Sequence, residues 1–431
     1  MAIPRERSLR VVPLLLPAFI YALGAWTYLA GSPAAYADFV NWLGITAYRV
    51  PQGDTWAVLV AIDCVRQGID VIGPNACMDF DYSPLWLKLS AFRLNGGQFL
   101  WAGLVINAGF LLSLLLLPPA RSKHDLLAMA AATCSAAVLF GMERANTDLL
   151  LFIVLAIGLA LLLRPALLRA AGYGLILLAG LLKYYPMAAM ILAGRERAGR
   201  FLAVAAVSVA LTAAFVALSW PDLSRALGKV PTGQPLGTMF GSLTIPLAIV
   251  DEAHLPPGWV RIIHLPMVAL GLALGLRRGL DPRTAAALGT LAERERVFLL
   301  GGAALILFCF FASQNIAYRS VFLLFTLPGL LALRKFTPGR SFAHAPWWVL
   351  VVLWHPLWRN RLIWAAHQLL GTTARDVMRY AVCLVREWFW WSLVVVLIGY
   401  VIAFVAGTQA GAPLFAAVAR RWPIAKGGAT A

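Results

Sequence analysis

Charge is scarce in this sequence. Asp, Glu, Lys and Arg make up 13% of its 431 residues, 61% are hydrophobic, and the mean hydropathy is +0.79. Ordinary soluble proteins carry about 25% charged residues, so a soluble globular fold is excluded. Apolar residues run continuously instead of alternating with period two, which excludes a transmembrane barrel and leaves helices. Cysteine is sparse at five residues, none in a close CxxC pair, and no HxxxH spacing occurs; a metal site built on such spacings is not expected. Also missing are a glycine-rich phosphate loop, an internal repeat and any stretch resembling a soluble domain.

What remains is a series of apolar runs of roughly 17–22 residues, close to the ~20 that a helix needs to cross ~30 Å of hydrocarbon. The formal net charge of +17 invites a nucleic-acid reading. The basic residues are scattered through short loops between apolar runs, however, as the positive-inside rule demands. Arg5, Arg7 and Arg10 put the N-terminus in the cytoplasm. The apolar stretch after them, followed by SPAAYA, is long for a signal core and is expected to stay as a first helix over 11–31. A loop over 32–97 then lies outside, followed by spans near 98–117, 126–141 and 148–163. The next apolar run, over 172–194, is expected as two half-helices meeting at Lys183–Pro186, because proline lacks an amide donor and broken backbone is tolerated where it lines a cavity. Further spans are expected at 201–219, 260–276, 297–313, 317–333, 345–357 and 388–406, with a second outer loop over 220–259. An Arg- and Trp-bearing segment before the last span is expected in the headgroup layer, and the C-terminus inside. Residues 1–431 thus read as one membrane domain, an all-α polytopic protein of about eleven or twelve transmembrane or half helices.

The first outer loop is acidic without glutamate. It holds Asp38, Asp54, Asp63, Asp70, Asp79 and Asp81, six of the chain's 19 acidic residues. Asp54 opens TWAVLVAIDCVRQG, which has the pattern of a helix lying along the membrane. A carboxylate there reads either as a general base toward a hydroxyl group or as a helix cap with no chemistry. Asp63 follows nine residues later as a second candidate base. Cys64 and Cys77 share this loop, in an oxidising compartment if it lies outside, so a disulfide between them is open. In FDYSPLWLK, Tyr82 and Trp86 suit a membrane interface, and Lys88 either snorkels or meets a lipid phosphate.

Polar groups beside the spans are costly unless they pair or face water. Glu143, Arg144, Asn146 and Asp148, in MERANTD, read either as an ion pair and a helix cap or as groups that orient a substrate. Lys183, in LLKYYP, is a point charge suited to phosphate. Arg319, in SQNIAYRS, has the planar fork that binds phosphate through two parallel hydrogen bonds. Lys183 and Arg319, with Arg144 as a third cation, form a coherent outer-face set for a lipid-linked phosphate.

On these residues the chain resembles the membrane glycosyltransferases of fold class GT-C, in particular the bacterial family that includes the polyprenol-phosphate-mannose-dependent alpha-mannosyltransferases. The motifs are GDTWAVLVAIDCVRQGIDV followed by FDYSPLW, then GMERANTDLLLF, LLAGLLKYYPMAAMIL and NIAYRSVFLLFTLPGLL. The resemblance implies a GT-C-like bundle and a catalytic Asp at position 54. It implies a polyprenyl-phosphate sugar donor arriving from the bilayer and inverting transfer of a mannose-like hexose to a glycan or glycolipid acceptor. Lys183, Arg319 and Arg144 would meet the leaving phosphate; Glu143, Asn146, Asp148, Tyr82 and Lys88 would position substrate or loop. A bacterial plasma-membrane location, an extracytoplasmic site and cytoplasmic termini follow, with no cofactor, nucleotide sugar, Rossmann domain or nucleic acid. Where the family often has Tyr-Pro-Pro, this chain has Tyr82-Ser83-Pro84. Two other classes share some of these features. A transporter or lipid flippase would also have many spans and a broken helix, but no pseudo-repeat is seen. An envelope polysaccharide ligase or polymerase would call for a larger late outer loop than 220–259.

Overall fold

The computed structural model describes residues 5–47, 50–73, 75–77, 80–227, 236–312, 314–334, 340–413 and 415. Asp79, one of the loop carboxylates, and the basic residues after 415 lie outside this set. The chain begins with α1 (Arg5–Ala30), α2 (Pro33–Trp42) and α3 (Gly53–Arg66), then a 3-10 stretch over Pro84–Phe92. It continues with α4 (Phe99–Ser113), α5 (Lys123–Thr133), α6 (Ala136–Arg144), α7 (Thr147–Leu161) and α8 (Ala166–Leu182), then a second 3-10 stretch over Tyr185–Arg195. Next come α9 (Ala198–Leu227), α10 (Thr244–Glu252), α11 (Trp259–Gly279), α12 (Pro282–Gly289) and α13 (Glu293–Ala312). A third 3-10 stretch, Ala317–Phe322, leads to α14 (Leu323–Leu333), α15 (Arg340–Leu353), α16 (His355–Leu370) and α17 (Thr372–Ala406). Among the described residues, strand is confined to one antiparallel ladder of two residues a side, β1 (Met239–Phe240) with β2 (Asn315–Ile316), pairing Met239 with Ile316.

Among the described residues, six helices are long and apolar enough to cross a membrane, α5 and α6 make a further pair bent by 44°, and four apolar helices are shorter. The exposed surface identifies the solvent. None of the apolar window of the 30-residue α9 is buried, and Leu202, Leu218 and Trp220 on it lie open. Apolar surface on that scale is untenable in water and natural in lipid. The chain is an all-α, multi-pass membrane protein.

Two expectations change. The headgroup-layer segment and the last span are not separate: α17 runs unbroken for 35 residues, about 52 Å at 1.5 Å per residue. The cause is local, because no Gly or Pro occurs between Gly371 and Gly399. The two loops expected outside are also more structured than their polar composition suggests. The 32–97 loop holds α2, α3 and a 3-10 stretch, and builds a small core of its own from Ile62, Ala61, Phe80 and Trp86. The 220–259 loop is shortened by the last turns of α9 and by α10.

Two covalent or polar links fix the first loop. Cys64 and Cys77 form a disulfide closing 13 residues. The Trp86 indole Nε1 donates to the Leu182 carbonyl at 3.1 Å, tying the loop to the point where α8 ends. The disulfide leaves a measurable signature. The Cys64→Ser/Cys77→Ser variant is expected to lose about 2–4 kcal/mol, read as a lower unfolding temperature in detergent, and reductant should lower the wild-type value and leave the variant's unchanged.

The main core is made by α7, α13, α14 and α17 with the 3-10 stretch over Tyr185–Arg195. α13 and α14 pack at backbone distance, as small residues permit between membrane helices. A β-carbon on Gly302 would stand 2.7 Å from Cβ of Phe325.

Candidate functional site

The site forms where three chain breaks meet. The first is the start of α3. Gln52 precedes it in the left-handed region (φ 59, ψ 32), and its amide donates to the Glu143 carbonyl at 2.6 Å. The second is the corner between α6 and α7, where Ala145 is also left-handed (φ 41, ψ 49) and its carbonyl accepts from Thr55 Oγ1 at 2.5 Å. Such conformations cost roughly 1–3 kcal/mol in non-glycine residues and persist only where their surroundings enforce them. Here the two strained residues flank Asp54 on one side and Arg144 and Asn146 on the other, and each lends its neighbours to the other corner.

Asp54 stands in the first turn of α3 but does not cap it. The cap position is Gln52, which makes no capping bond through its side chain. The Asp54 carboxylate turns to the second corner. Asn146 Nδ2 donates to its Oδ2 at 2.5 Å, and Arg144 Nη1 lies 3.5 Å from Oδ1. Asn146 does cap its own helix, since its Oδ1 accepts the Asp148 amide at 2.8 Å. One side chain therefore starts α7 and holds Asp54. Burial raises the Asp54 carboxyl above its ordinary range, with Arg144 and Asn146 pulling it partly back.

The third break is in the run over 166–195. α8 stops at Leu182, Lys183 is extended (φ −157, ψ 121), and Pro186 opens the next 3-10 stretch. This frees Lys183 to reach sideways. Its Nζ is 2.5 Å from Asp148 Oδ1, which also accepts from Tyr185 OH at 2.7 Å. Arg319 approaches the other oxygen, Nε to Oδ2 at 3.2 Å, and donates from Nη1 to Asn315 Oδ1 at 2.5 Å. The β1–β2 ladder and a bond from the Ala317 amide to the Thr238 carbonyl at 2.9 Å hold that segment. Tyr82 lies under the Lys183 ammonium, 5.2 Å from ring centre to Nζ. Asp81 beside it is also raised by burial, against the pull of Lys183 and Arg319.

Asp54, Asn146, Asp148, Lys183 and Arg319 thus form one connected polar network, with Arg144 and Tyr82 at its edges. Asp148 is the counter-ion of both buried cations, so the two do not wait unpaired for a ligand. Glu143 braces the corner: it accepts from Tyr36 OH at 3.0 Å and lies 3.7 Å from Arg144 Nε. Lys88 is exposed on the first 3-10 stretch, with no hydrogen bond or ion pair to the network among the described residues. Asp63 also falls outside. Nine residues advance a helix by about two and a half turns, so Asp63 faces away from Asp54, and it pairs with Arg66.

Several residues of the site went unnoticed in the sequence. Tyr185 and Asn315 orient the cations, and Tyr36 holds Glu143. The side chain of Gln314, next to Asn315, has both amide atoms buried without a partner. A buried amide left unpaired costs about 1–3 kcal/mol, a cost that Gln314 carries beside the network residue Asn315. The signal was legible: Gln314 and Asn315 are adjacent amides at the end of an apolar helix.

A groove of about 310 Å³ opens beside the network between α1, α2, α4 and α6. Its walls are largely apolar, including Tyr28, Phe39, Leu100 and Trp101, and Gln52 and Glu143 stand at its polar side. Glu143 lies 3.7 Å from Arg144 Nε, so the groove meets the network at its Arg144 edge. Among the described residues, no cluster of three or more His, Cys, Asp or Glu is arranged to hold a metal ion.

No protein-family model, curated protein or solved structure matches this chain. Its function has to be argued from the chemistry of the site.

Proposed function

We propose that the protein is a membrane glycosyltransferase that moves a mannose-like hexose from a polyprenyl-phosphate donor to a glycan or glycolipid hydroxyl, with inversion. The observation that supports this most is the shared network: a buried carboxylate, Asp54, joined through Asn146 and Asp148 to two cations, Lys183 and Arg319. Base and phosphate-binding charge are the two functions that such a displacement needs. The adjoining groove suits an isoprenoid chain, because its apolar walls continue into surface that faces lipid. The reading also carries the location and orientation expected from the sequence: a bacterial plasma membrane, cytoplasmic termini and an extracytoplasmic site.

In the proposed step the acceptor oxygen forms a bond to the anomeric carbon as the bond from that carbon to the phosphate oxygen breaks. Asp54 takes the hydroxyl proton, and the bonding pair leaves with polyprenyl phosphate. Burial helps Asp54 in this role, since a carboxylate raised above its usual range is a stronger base. Lys183 and Arg319 stabilise the charge growing on the phosphate, fixed in advance by Asp148, Asn315 and Tyr185. The donor's phosphodiester carries one negative charge and the departing phosphate monoester carries two, so the cations share Asp148 with a ligand whose charge grows during the step, and Gln314 supplies a further amide nearby.

Sugar release from a purified polyprenyl-phosphate donor, with and without acceptor, tests the reading. Acceptor-dependent release supports transfer; movement of intact donor across a bilayer without release would indicate a flippase instead. The pH dependence carries a sign. Asp54 must be ionised to act, so kcat/KM is expected to fall as pH drops through its raised pKa, at a higher pH than the ~3.9 of a free Asp. The acid limb should move in the Arg144→Gln variant further upward, because that variant removes a charge that favours the carboxylate.

A further inference from the structure

The same helices that carry the network carry a second charged cluster at their other ends. α7 starts at the network and ends at Leu161; α8 starts at Ala166 and returns to it. The 3-10 stretch leaves the network at Tyr185 and ends at Arg195, and α13 runs from Glu293 to Ala312, just before Asn315. At 1.5 Å per residue in an α-helix and ~2 Å in a 3-10 helix, the two ends lie about 20–30 Å apart, comparable with the hydrocarbon core.

At this far end is a cavity of about 400 Å³ between the 3-10 stretch, α12, α13 and the end of α17, lined in part by Arg195, Arg197, Arg296 and Thr408. Five guanidinium groups gather in and around it: Arg169, Arg195, Arg197, Arg200 and Arg296. Among the described residues, the carboxylates paired with them are Glu196 and Glu293. Glu196 is taken up by Arg169 at 3.2 Å, by Tyr173 OH at 3.1 Å and by Arg200 at 3.8 Å, and Glu293 pairs with Arg195. Arg197 and Arg296 have no ion-pair partner among the described residues. Arg195 Nη1 is buried and makes no hydrogen bond. A cavity that holds a buried, unbonded guanidinium nitrogen and excess positive charge calls for an anion with several acceptor oxygens.

We infer that this cavity is a phosphate-binding site, separate from the Asp54 network, which takes the headgroup of an anionic phospholipid. Three guanidinium forks around one cavity match the tetrahedral oxygens of a phosphodiester, and basic pockets between membrane helices bind such headgroups. The unpaired Nη1 of Arg195 supplies the inner contact; Arg197 and Arg296 hold the outer oxygens. This site does not depend on the reaction proposed for Asp54.

Native mass spectrometry of the full-length protein in neutral detergent tests it, titrating phosphatidylglycerol, phosphatidylcholine and inorganic phosphate. The wild type should retain phosphatidylglycerol at least tenfold more tightly than phosphatidylcholine. Arg197→Gln/Arg296→Gln should lose that preference, while Arg225→Gln, which removes a cation paired with Asp70 in the first outer loop, should keep it. Glu293→Gln releases Arg195 and should bind phosphatidylglycerol several-fold more tightly; this gain is readable even if the double variant folds poorly. Displacement of bound lipid by millimolar phosphate would assign recognition to the phosphate alone, and retention would assign it to the lipid. Equal binding of both lipids by the wild type, or unchanged affinity in Glu293→Gln, would overturn the proposal.

Discussion

Asp54→Asn is expected to lower sugar transfer by about 10²–10⁴-fold, the range supplied by a positioned general base, with the protein still folded. Asparagine fills the same space, and its carbonyl oxygen can still accept from Asn146 Nδ2, which now donates to Asp54 Oδ2 at 2.5 Å. Arg144 loses a partner at 3.5 Å but keeps Glu143 at 3.7 Å. What disappears is the ability to take a proton. Asp63→Asn is the matched control: its pair with Arg66 is an i,i+3 contact on the outer face of α3, worth a few tenths of a kcal/mol at most, and transfer should continue at the wild-type rate. The pair of measurements is transfer per folded enzyme in the two variants. Full activity in Asp54→Asn would remove the base from the scheme, and loss in Asp63→Asn would reassign it.

The second large effect is on folding. Asp148→Asn should destabilise the protein by about 3–5 kcal/mol, the usual consequence of removing one partner of a buried ion pair. The reason is the double duty of this carboxylate. Lys183 and Arg319 both rest on it, as does the Tyr185 hydroxyl, so its removal leaves two buried cations facing each other. Lys183→Met is the informative partner. It leaves Arg319 with Asp148 intact, so it should unfold close to the wild-type temperature while losing phosphate affinity and transfer. Thermal unfolding in detergent separates them: a large fall for Asp148→Asn and a small one for Lys183→Met. An Asp148→Asn protein as stable as wild type would mean that the cations are not held as described.

The raised carboxyl of Asp54 also bears on stability. A carboxyl whose folded pKa lies above its unfolded value binds its proton more tightly when folded, so ionising it opposes folding. That opposition is complete above the raised pKa and fades as pH falls toward the unfolded value near 3.9. Acid therefore relieves strain at Asp54 while switching off its role as a base.

Much of this was readable from residue order. Chain-wide apolar runs announced a membrane protein because hydrocarbon admits no unpaired backbone, and only helices pair it within one segment. The break at Lys183 was visible because Pro186 cannot donate to a helix ladder. The continuity of α17 was missed although its cause was local: the Arg and Trp residues of the segment before it suggested a surface helix, while the lack of Gly or Pro through that stretch was the decisive feature.

The sequence by itself settled the class of fold, the rough limits of most apolar segments, and which charged residues stood beside hydrocarbon. Those are properties of single residues and short windows, set by solvation and backbone geometry. Only the tertiary structure decided that Asp54 and Asn146, 92 positions apart, are hydrogen-bonded, that Asp148 neutralises both cations, and that Lys88 is exposed. Pairings of that kind depend on how helices cross and on which face of each turns inward, and a charge carries no mark in the sequence of the partner it will meet.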